Sequence, residues 1–229
     1  MKTIPMGKQA LLVEFEKQDT FTPQSAFQKL NSHLEEFQIH QLTPAYDSLL
    51  VQFERALSSQ RIEEVLKTLR EASNQNTPQA PLLKIPVFYD ENWDLPELEG
   101  HLDLSIDEII HLHTQSIFEV ACLGFLPGFP YLKTLPASLI SPRKKTPRKE
   151  VPKGAVALAG DQTGIYPTKS PGGWQILGFT PLEIFDLNRA DICLFAPGDK
   201  VQFQKVSELE FKEIAEEVHQ GKWGRKDLL

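Results

Sequence analysis

The sequence predicts an α+β protein with two domains, a ferredoxin-like α/β domain over residues 1–90 and a mostly β domain over residues 91–229. Two patterns predict this division. In the first ninety residues, stretches with an apolar residue at every second position alternate with stretches at helical spacing. Beyond Gln115, short apolar runs are separated by Gly and Pro, which is typical of a compact β-barrel or sandwich.

The first domain shows the order β-α-β-β-α-β, which is the order of a split βαβ, or ferredoxin-like, domain. Thr22 caps and Pro23 opens the first helix, whose apolar stripe extends to Phe37. Ser58 precedes the second helix, and a polar, turn-rich linker follows at Ser73–Pro81. The strands are predicted at Leu11–Phe15, Ile39–Leu42, Leu49–Phe53 and Ile85–Tyr89.

The second domain is predicted to contain short strands between two capped helices. Residues 90–108 hold eight carboxylates and no Lys or Arg, which favours a solvated acidic linker over a metal site. Ser105 and Glu108 form a capping box for a helix that runs to about His113. A second capping box at Ser207 opens a C-terminal helix. The apolar runs predicted as strands are residues 118–123, 155–159, 174–179, 192–195 and 201–206.

The composition excludes several classes of function. The chain has 229 residues with 24 Lys and Arg against 31 Asp and Glu, and this net charge of −7 disfavours a general nucleic-acid binder. The sequence lacks the motifs of nucleotide-binding loops, dinucleotide folds, zinc proteases and α/β-hydrolases. Cys122 and Cys193 lie in apolar runs and are predicted to be free, buried thiols. Glu14 and Glu16 interrupt the N-terminal apolar residues, so a cytoplasmic protein is predicted.

Two glycine-rich stretches combine rigid turns with aromatic side chains. The first is GFLPGFPYL, Gly124–Leu132, and the second is GDQTGIYPTKSPGGWQILGFTP, Gly160–Pro181. Glycine lets a ligand approach the backbone closely, and proline lowers the entropy cost of an ordered loop. The sequence therefore predicts a binding surface here, with barrel corners lined by core aromatics as the alternative. Phe125, Phe129 and Trp174 are the candidates for contact with a partner.

The segment SPRKKTPRKEVPK, Ser141–Lys153, lies between these stretches and attracts anions in an otherwise acidic chain. Arg143 and Arg148 each lie next to a proline and are predicted to grip a carboxylate or phosphate with two parallel hydrogen bonds. The lysines of the segment are predicted to be solvated and mobile.

His113 is the candidate general acid or base, because an imidazole titrates near neutral pH. It also shares a helical face with Ile106, Ile109 and Ile110, which favours a packed core histidine. Both interpretations remain open at the level of the sequence.

Taken in order, these motifs and the closing APGDKVQF resemble the PxpB family, the B subunits of 5-oxoprolinase, whose members are also called KipI-type proteins or allophanate hydrolase subunit 1. The resemblance runs from about Ala10 to Val206. It implies a small N-terminal α/β domain and a C-terminal cyclophilin-like β-barrel. The family pattern carries Gly-Arg-Thr-Pro where this chain has Phe179 at the second position, which removes any anion contact made by that arginine.

The resemblance implies a subunit that is inactive alone and completes an ATP-dependent 5-oxoprolinase with PxpA-type and PxpC-type (KipA-type) partners. That complex opens 5-oxo-L-proline to L-glutamate and consumes ATP, and no metal is expected on this chain. Two alternatives remain open. The chain could inhibit the autophosphorylation of a sensor histidine kinase, or it could serve as a carboxyltransferase subunit of a urea or allophanate pathway.

The resemblance also assigns roles to residues of the two loops. His113 matches the position of a histidine ahead of the first loop and would be catalytic. The substrate-binding candidates are Arg143 and Arg148 for a carboxylate or phosphate, Gln162, Tyr166 and Ser170 for polar contacts, and Gly172 and Gly173 for backbone amides.

Overall fold

The structure of the protein is a computed structural model that describes residues 1–16, 19, 22–71 and 80–229. The chain forms two compact units, residues 1–79 and 80–229. The predicted linker Ser73–Pro81 lies outside the described residues up to position 79. Within the described ranges, no helix has both the length and the apolar character that crossing a bilayer requires.

The first unit contains a four-stranded antiparallel sheet and two helices. Its strands are β1 (Lys2–Met6), β2 (Ala10–Glu14), β3 (Ile39–Pro44) and β4 (Ser48–Phe53), and its helices are α1 (Pro23–Asn31) and α2 (Ser59–Glu71). The strand order is β1-β2-β4-β3. Alternate residues of β2 and β4, such as Leu11, Val13 and Val51, are fully buried and pack against Leu30 of α1.

The ferredoxin-like prediction for this unit is not confirmed. The strand predicted at Ile85–Tyr89 belongs to the second unit, so the domain boundary lies at residues 79 and 80 and not at residue 90. In its place, β1 pairs with β2 at the edge of the sheet. Strand β1 is not predicted from the sequence because Pro5 argues against a strand, although an edge strand tolerates proline.

Helix α1 is shorter than its apolar stripe predicts. Thr22 and Ser25 form a capping box at its start, and the helix ends at Asn31. Turns follow as far as Gln38, whose φ of 51° closes the segment in the left-handed region. Phe37 is nevertheless buried, because these turns fold it back onto the sheet.

The second unit is built around a closed β-barrel, which confirms the barrel prediction at that level. Its strands are β5 (Leu82–Tyr89), β6 (Phe118–Leu123), β7 (Pro130–Lys133), β9 (Ala155–Ala159), β10 (Gln162–Ile165), β12 (Gln175–Phe179) and β13 (Lys200–Lys205). They close in the order β10-β7-β6-β13-β5-β12-β9. Strands β8 (Arg148–Val151) and β11 (Ser170–Gly172) form a separate antiparallel pair.

Three helices accompany the barrel, α3 (Leu95–Leu102), α4 (Ile106–Gln115) and α5 (Glu208–His219). Both predicted capping boxes are present, at Ser105 and at Ser207. The predicted apolar stripe of α5 is only half-buried; its members are Phe211, Ile214, Ala215 and Val218. The run at residues 192–195 does not form a strand, because only the isolated bridge between Phe185 and Cys193 pairs it.

Gly178 permits the close contact of β12 with β5. A Cβ at this position would lie 2.1 Å from the Phe88 carbonyl oxygen, and Gly178 is paired with Tyr89 in the ladder. Because backbone atoms cannot move aside as a flexible side chain does, only glycine fits here.

We predict that Gly178→Ala lowers the free energy of unfolding of the second unit by about 2–4 kcal/mol, because the methyl group forces β12 away from β5. All three tryptophans lie beyond residue 80, so their fluorescence during urea denaturation reports this unit. Gly124→Ala is the control, since a Cβ there meets no atom within 4 Å. Equal midpoints for the two variants would contradict the prediction.

Candidate functional site

The two glycine-rich stretches and the basic segment meet at one open pocket of about 350 Å³, which we call the aromatic pocket. Its walls are Phe125, Phe129, Tyr131, Arg143, Pro147, Tyr166, Pro171, Gly172, Gly173 and Trp174. The structure therefore brings together three segments that the sequence predicted to form a binding surface.

Phe129 lies at the centre of the aromatic wall. Its ring makes edge contacts with Tyr166 and Trp174, at centroid distances of 5.2 and 5.4 Å, and a tilted contact with Tyr131 at 4.8 Å. Such edge-to-face contacts stabilise a fixed arrangement of rings beyond the burial of their surface. Phe125 packs on Phe129 at 5.9 Å, but its side chain is 67% exposed. The wall is thus rigid at its base and open at Phe125.

Gly172 has a packing role in the wall. A Cβ at this position would lie 2.4 Å from the Tyr166 hydroxyl oxygen, so the tyrosine reaches its place only beside a glycine. Burial raises the pKa of Tyr166, which keeps its hydroxyl protonated at neutral pH. Gly173 accepts a hydrogen bond from the backbone N–H of Lys144 at 2.7 Å, which joins the basic segment to the pocket wall.

Arg143 is the cation of the pocket. Its guanidinium carbon lies 6.0 Å from the centroid of the Trp174 ring. Across the described residues it forms no ion pair, and its side chain is exposed. Arg143 can therefore offer two parallel N–H groups to a carboxylate that enters the pocket.

Lys144 and Arg148 are bound by acidic residues. Lys144 Nζ donates to Asp94 Oδ1 at 2.9 Å and to Glu97 Oε2 at 2.6 Å. Arg148 Nη2 donates to Asp94 Oδ1 at 2.5 Å, and its guanidinium lies 5.5 Å from the Trp93 ring centroid. The prediction that Arg148 holds a ligand anion is corrected, because its charge is already paired. The prediction of a solvated Lys144 is corrected for the same reason.

Asp94 holds these cations against the barrel. Only 3% of the residue is exposed, and its second oxygen, Oδ2, accepts from the Ile176 backbone N–H at 2.7 Å. Burial raises the pKa of Asp94, but the hydrogen bonds from Arg148, Ile176 and Lys144 outweigh burial and lower the pKa overall. The acidic stretch is therefore not wholly a solvated linker, since it contains a buried carboxylate and helix α3.

Two other predicted contacts lie outside the aromatic pocket. Ser170 is buried, and its hydroxyl donates to the Pro171 carbonyl oxygen at 3.2 Å. Gln162 begins β10 and is paired with Ala159. Neither residue lines the pocket.

The structure places His113 inside the barrel core. The residue is fully buried, and its ring stacks on Phe203 at a centroid distance of 4.4 Å. Nδ1 is 2.7 Å from the Tyr89 hydroxyl, and Nε2 is 3.1 Å from Thr163 Oγ1. The catalytic prediction is thus corrected to its alternative, a packed core histidine, because no substrate outside the barrel reaches this ring.

The hydrogen bonds around His113 specify one arrangement of protons. Thr163 Oγ1 donates to the Ala157 carbonyl oxygen, so it accepts from a protonated Nε2. Nδ1 then accepts from the Tyr89 hydroxyl. Burial lowers the pKa of His113 to about 3 and raises that of Tyr89, so both groups are neutral at physiological pH.

The remaining candidates contribute packing. Phe179, which stands in place of the family arginine, makes an edge contact with Trp93 at 5.3 Å. Burial raises the pKa of the Cys122 thiol to about 11, so Cys122 is a poor nucleophile. Cys193 is also a free thiol, and both cysteines are only partly buried. In the part of the chain that the structure describes, no group of three or more His, Cys, Asp or Glu residues is placed to hold a metal ion.

The chain matches the model of the carboxyltransferase domain, subdomain C and D, over residues 1–195. It is 36% identical over 203 residues to the B subunit of the Escherichia coli O157:H7 5-oxoprolinase, which covers 86% of this chain and 93% of that protein. The corresponding B subunit of Bacillus subtilis is 38% identical over 156 residues, covering 67% of this chain and 65% of that protein. The chain therefore belongs to the carboxyltransferase subdomain C and D family, and within it to the B subunits of 5-oxoprolinase.

Solved structures agree with this assignment. The crystal structure of TTHA0988 matches with a TM-score of 0.72 and 36% identity over 87% of this chain and 40% of that chain, so this chain spans less than half of that protein. The Pyrococcus horikoshii protein PH0987 matches with a TM-score of 0.55 and 31% identity over 92% of this chain and 100% of that chain. The K. lactis urea amidolyase has a TM-score of 0.69, covering 97% of this chain and 16% of that chain, but its 19% identity shows a shared fold alone.

We predict that acid destabilises the second unit through His113. The folded pKa of about 3 lies below the ordinary 6.5, so between these values protons bind only the unfolded chain. The free energy of unfolding therefore falls as pH drops below 6.5, by up to about 1.4 kcal/mol per pH unit from this group.

Urea denaturation at pH 4.5, 5.5 and 7.5, followed by tryptophan fluorescence, measures this dependence. His113→Gln removes the titrating group, so its slope should be smaller by the amount that His113 contributes. The same slope in both proteins would contradict a neutral, buried His113.

Proposed function

We propose that the chain is a subunit of an ATP-dependent 5-oxoprolinase and that its aromatic pocket binds the lactam substrate, 5-oxo-L-proline. The observation that carries this proposal is the convergence of both glycine-rich loops and Arg143 on one pocket. The relatives named as B subunits of 5-oxoprolinase support the activity, and the chemistry of the pocket supports the choice of ligand.

5-Oxoproline has two parts that suit this pocket. Its flat, five-membered ring would pack on the faces and edges of Phe129 and Trp174, as small rings do in aromatic sites. Its carboxylate would accept hydrogen bonds from the guanidinium of Arg143 above Trp174. A volume of about 350 Å³ accommodates such a ligand and leaves room for a group from another subunit.

The described walls of the pocket supply binding but no base for ring opening. Tyr131 and Tyr166 line it, and burial raises the pKa of both, so neither accepts a proton at neutral pH. An arginine is not a base in proteins either. We therefore propose that the reacting groups come from PxpA-type and PxpC-type partners, and that this chain is inactive alone.

Inhibition of a sensor histidine kinase stays a prediction, as does a role in a urea or allophanate pathway. Purification of the chain from a native lysate, with its companions identified by mass, separates these outcomes. A PxpC-type companion supports the 5-oxoprolinase, whereas a sensor kinase supports the regulator.

We predict that Arg143→Gln raises the KM for 5-oxoproline about 10- to 150-fold in the assembled complex, since a charged hydrogen bond contributes about 1.5–3 kcal/mol. Glutamate production from purified subunits with ATP measures this value. Lys145→Gln is the control, because it makes the same charge change on the same segment at an exposed position outside the pocket walls. If omitting this chain leaves glutamate output unchanged, the proposed function is wrong.

We predict that Phe125 contacts a partner subunit. Its side chain is 67% exposed at the open side of the pocket, so Phe125→Ala should weaken co-purification with the partners without lowering thermal stability. Leu209→Ala is the matched control, because Leu209 is also 67% exposed but lies on α5. Equal recovery of partners with both variants would contradict a role for Phe125.

A further inference from the structure

Among the described residues, the aromatic pocket has one unpaired positive charge, although the basic segment beside it carries several. Arg143 faces the pocket, whereas the neighbouring charges of Lys144 and Arg148 are turned to Asp94. Glu97 pairs with Lys144 from the first turn of α3. The charge that a ligand meets is therefore set by these carboxylates as well as by Arg143.

Asp94 is fixed to the barrel independently of the cations. Its backbone N–H donates to the Ile176 carbonyl oxygen at 3.1 Å, and its Oδ2 accepts from the Ile176 N–H at 2.7 Å. This double link to β12 places Oδ1 where both Lys144 and Arg148 reach it. The carboxylate thus fixes the two cations in place and does not move to follow them.

The paired cations lie beside the pocket wall. The backbone N–H of Lys144 donates to the Gly173 carbonyl oxygen, and Arg148 Nη1 lies 3.4 Å from the Trp174 carbonyl oxygen. Gly173 and Trp174 both line the pocket. Without Asp94, two long, flexible cationic side chains would be free within reach of the same ligand.

Resting on the function proposed above, we propose that Asp94 is a positioning residue that limits the aromatic pocket to ligands with a single negative charge. By pairing Lys144 and Arg148, it leaves Arg143 as the cation that the described pocket walls direct at the ligand. A monocarboxylate such as 5-oxoproline matches this charge. A polyphosphate chain carries several charges and needs several cations, so the nucleotide is bound elsewhere in the complex.

The test compares the binding of two probes, 5-oxoproline and inorganic tripolyphosphate, to the full chain by isothermal titration calorimetry. The wild-type chain should bind 5-oxoproline at least tenfold more tightly than tripolyphosphate. Asp94→Asn should shift this preference toward tripolyphosphate by at least tenfold in the ratio of the two Kd values, because the released cations attract the polyanion. The variant should also show a steeper salt dependence of tripolyphosphate binding.

Glu183→Gln is the matched control, since it breaks the surface pair with Lys153, away from the pocket walls, by the same chemical change. It should leave the ratio of Kd values unaltered. If Asp94→Asn fails to fold by circular dichroism, Glu97→Gln replaces it, because Glu97 is exposed and pairs with Lys144. This variant should shift the ratio in the same direction by a smaller factor.

The outcomes separate the two proposals. If Arg143→Gln abolishes 5-oxoproline binding but neither Asp94→Asn nor Glu97→Gln changes the ratio, the role of Asp94 is overturned and the pocket assignment stands. If the wild-type chain does not bind 5-oxoproline, the substrate assignment of the pocket is wrong and the role of Asp94 falls with it.

Discussion

A buried carboxylate, that of Asp94, determines how the functional face of the second unit is assembled. An isolated charge in such a place costs several kcal/mol, so both of its oxygens must have partners. The partners come from distant parts of the sequence, namely the basic segment through Lys144 and Arg148 and strand β12 through Ile176. One side chain thus joins the start of α3, a loop and the barrel wall.

The aromatic pocket depends on this link and on the closed barrel beneath it. The barrel supplies strands whose ends are held by ladders on both sides, and the loops carry Phe129 and Trp174 to one side. The ring contacts then fix the wall, while Phe125 stays exposed to a second protein. The base of the site is therefore rigid, and its open side is suited to contacts with a partner, as expected of a subunit that shares an active site.

Local signals in the sequence predicted much of this architecture. The capping boxes, the short β runs and the convergence of the glycine-rich loops with Arg143 follow from residue chemistry over a few positions. The role of Asp94 could not be predicted, because spacing does not show which of eight carboxylates folds inward to pair with a distant loop. His113 was misassigned for a similar reason, since its partners Tyr89 and Thr163 lie far from it in the sequence. The assignment of β5 to the first unit failed because alternation identifies a strand but not its neighbours.

Strand β5 has a further consequence for the way the polypeptide acquires its structure. Its parallel ladder with β13 aligns Leu82 with Lys200, so the earliest and the latest strands of the barrel lie side by side. Parallel pairing between such distant segments must overcome a large loop-closure entropy, which slows folding. During synthesis on the ribosome, β5 therefore waits with an unpaired edge until β13 has emerged, and a chaperone that shields this edge would protect the nascent chain from aggregation.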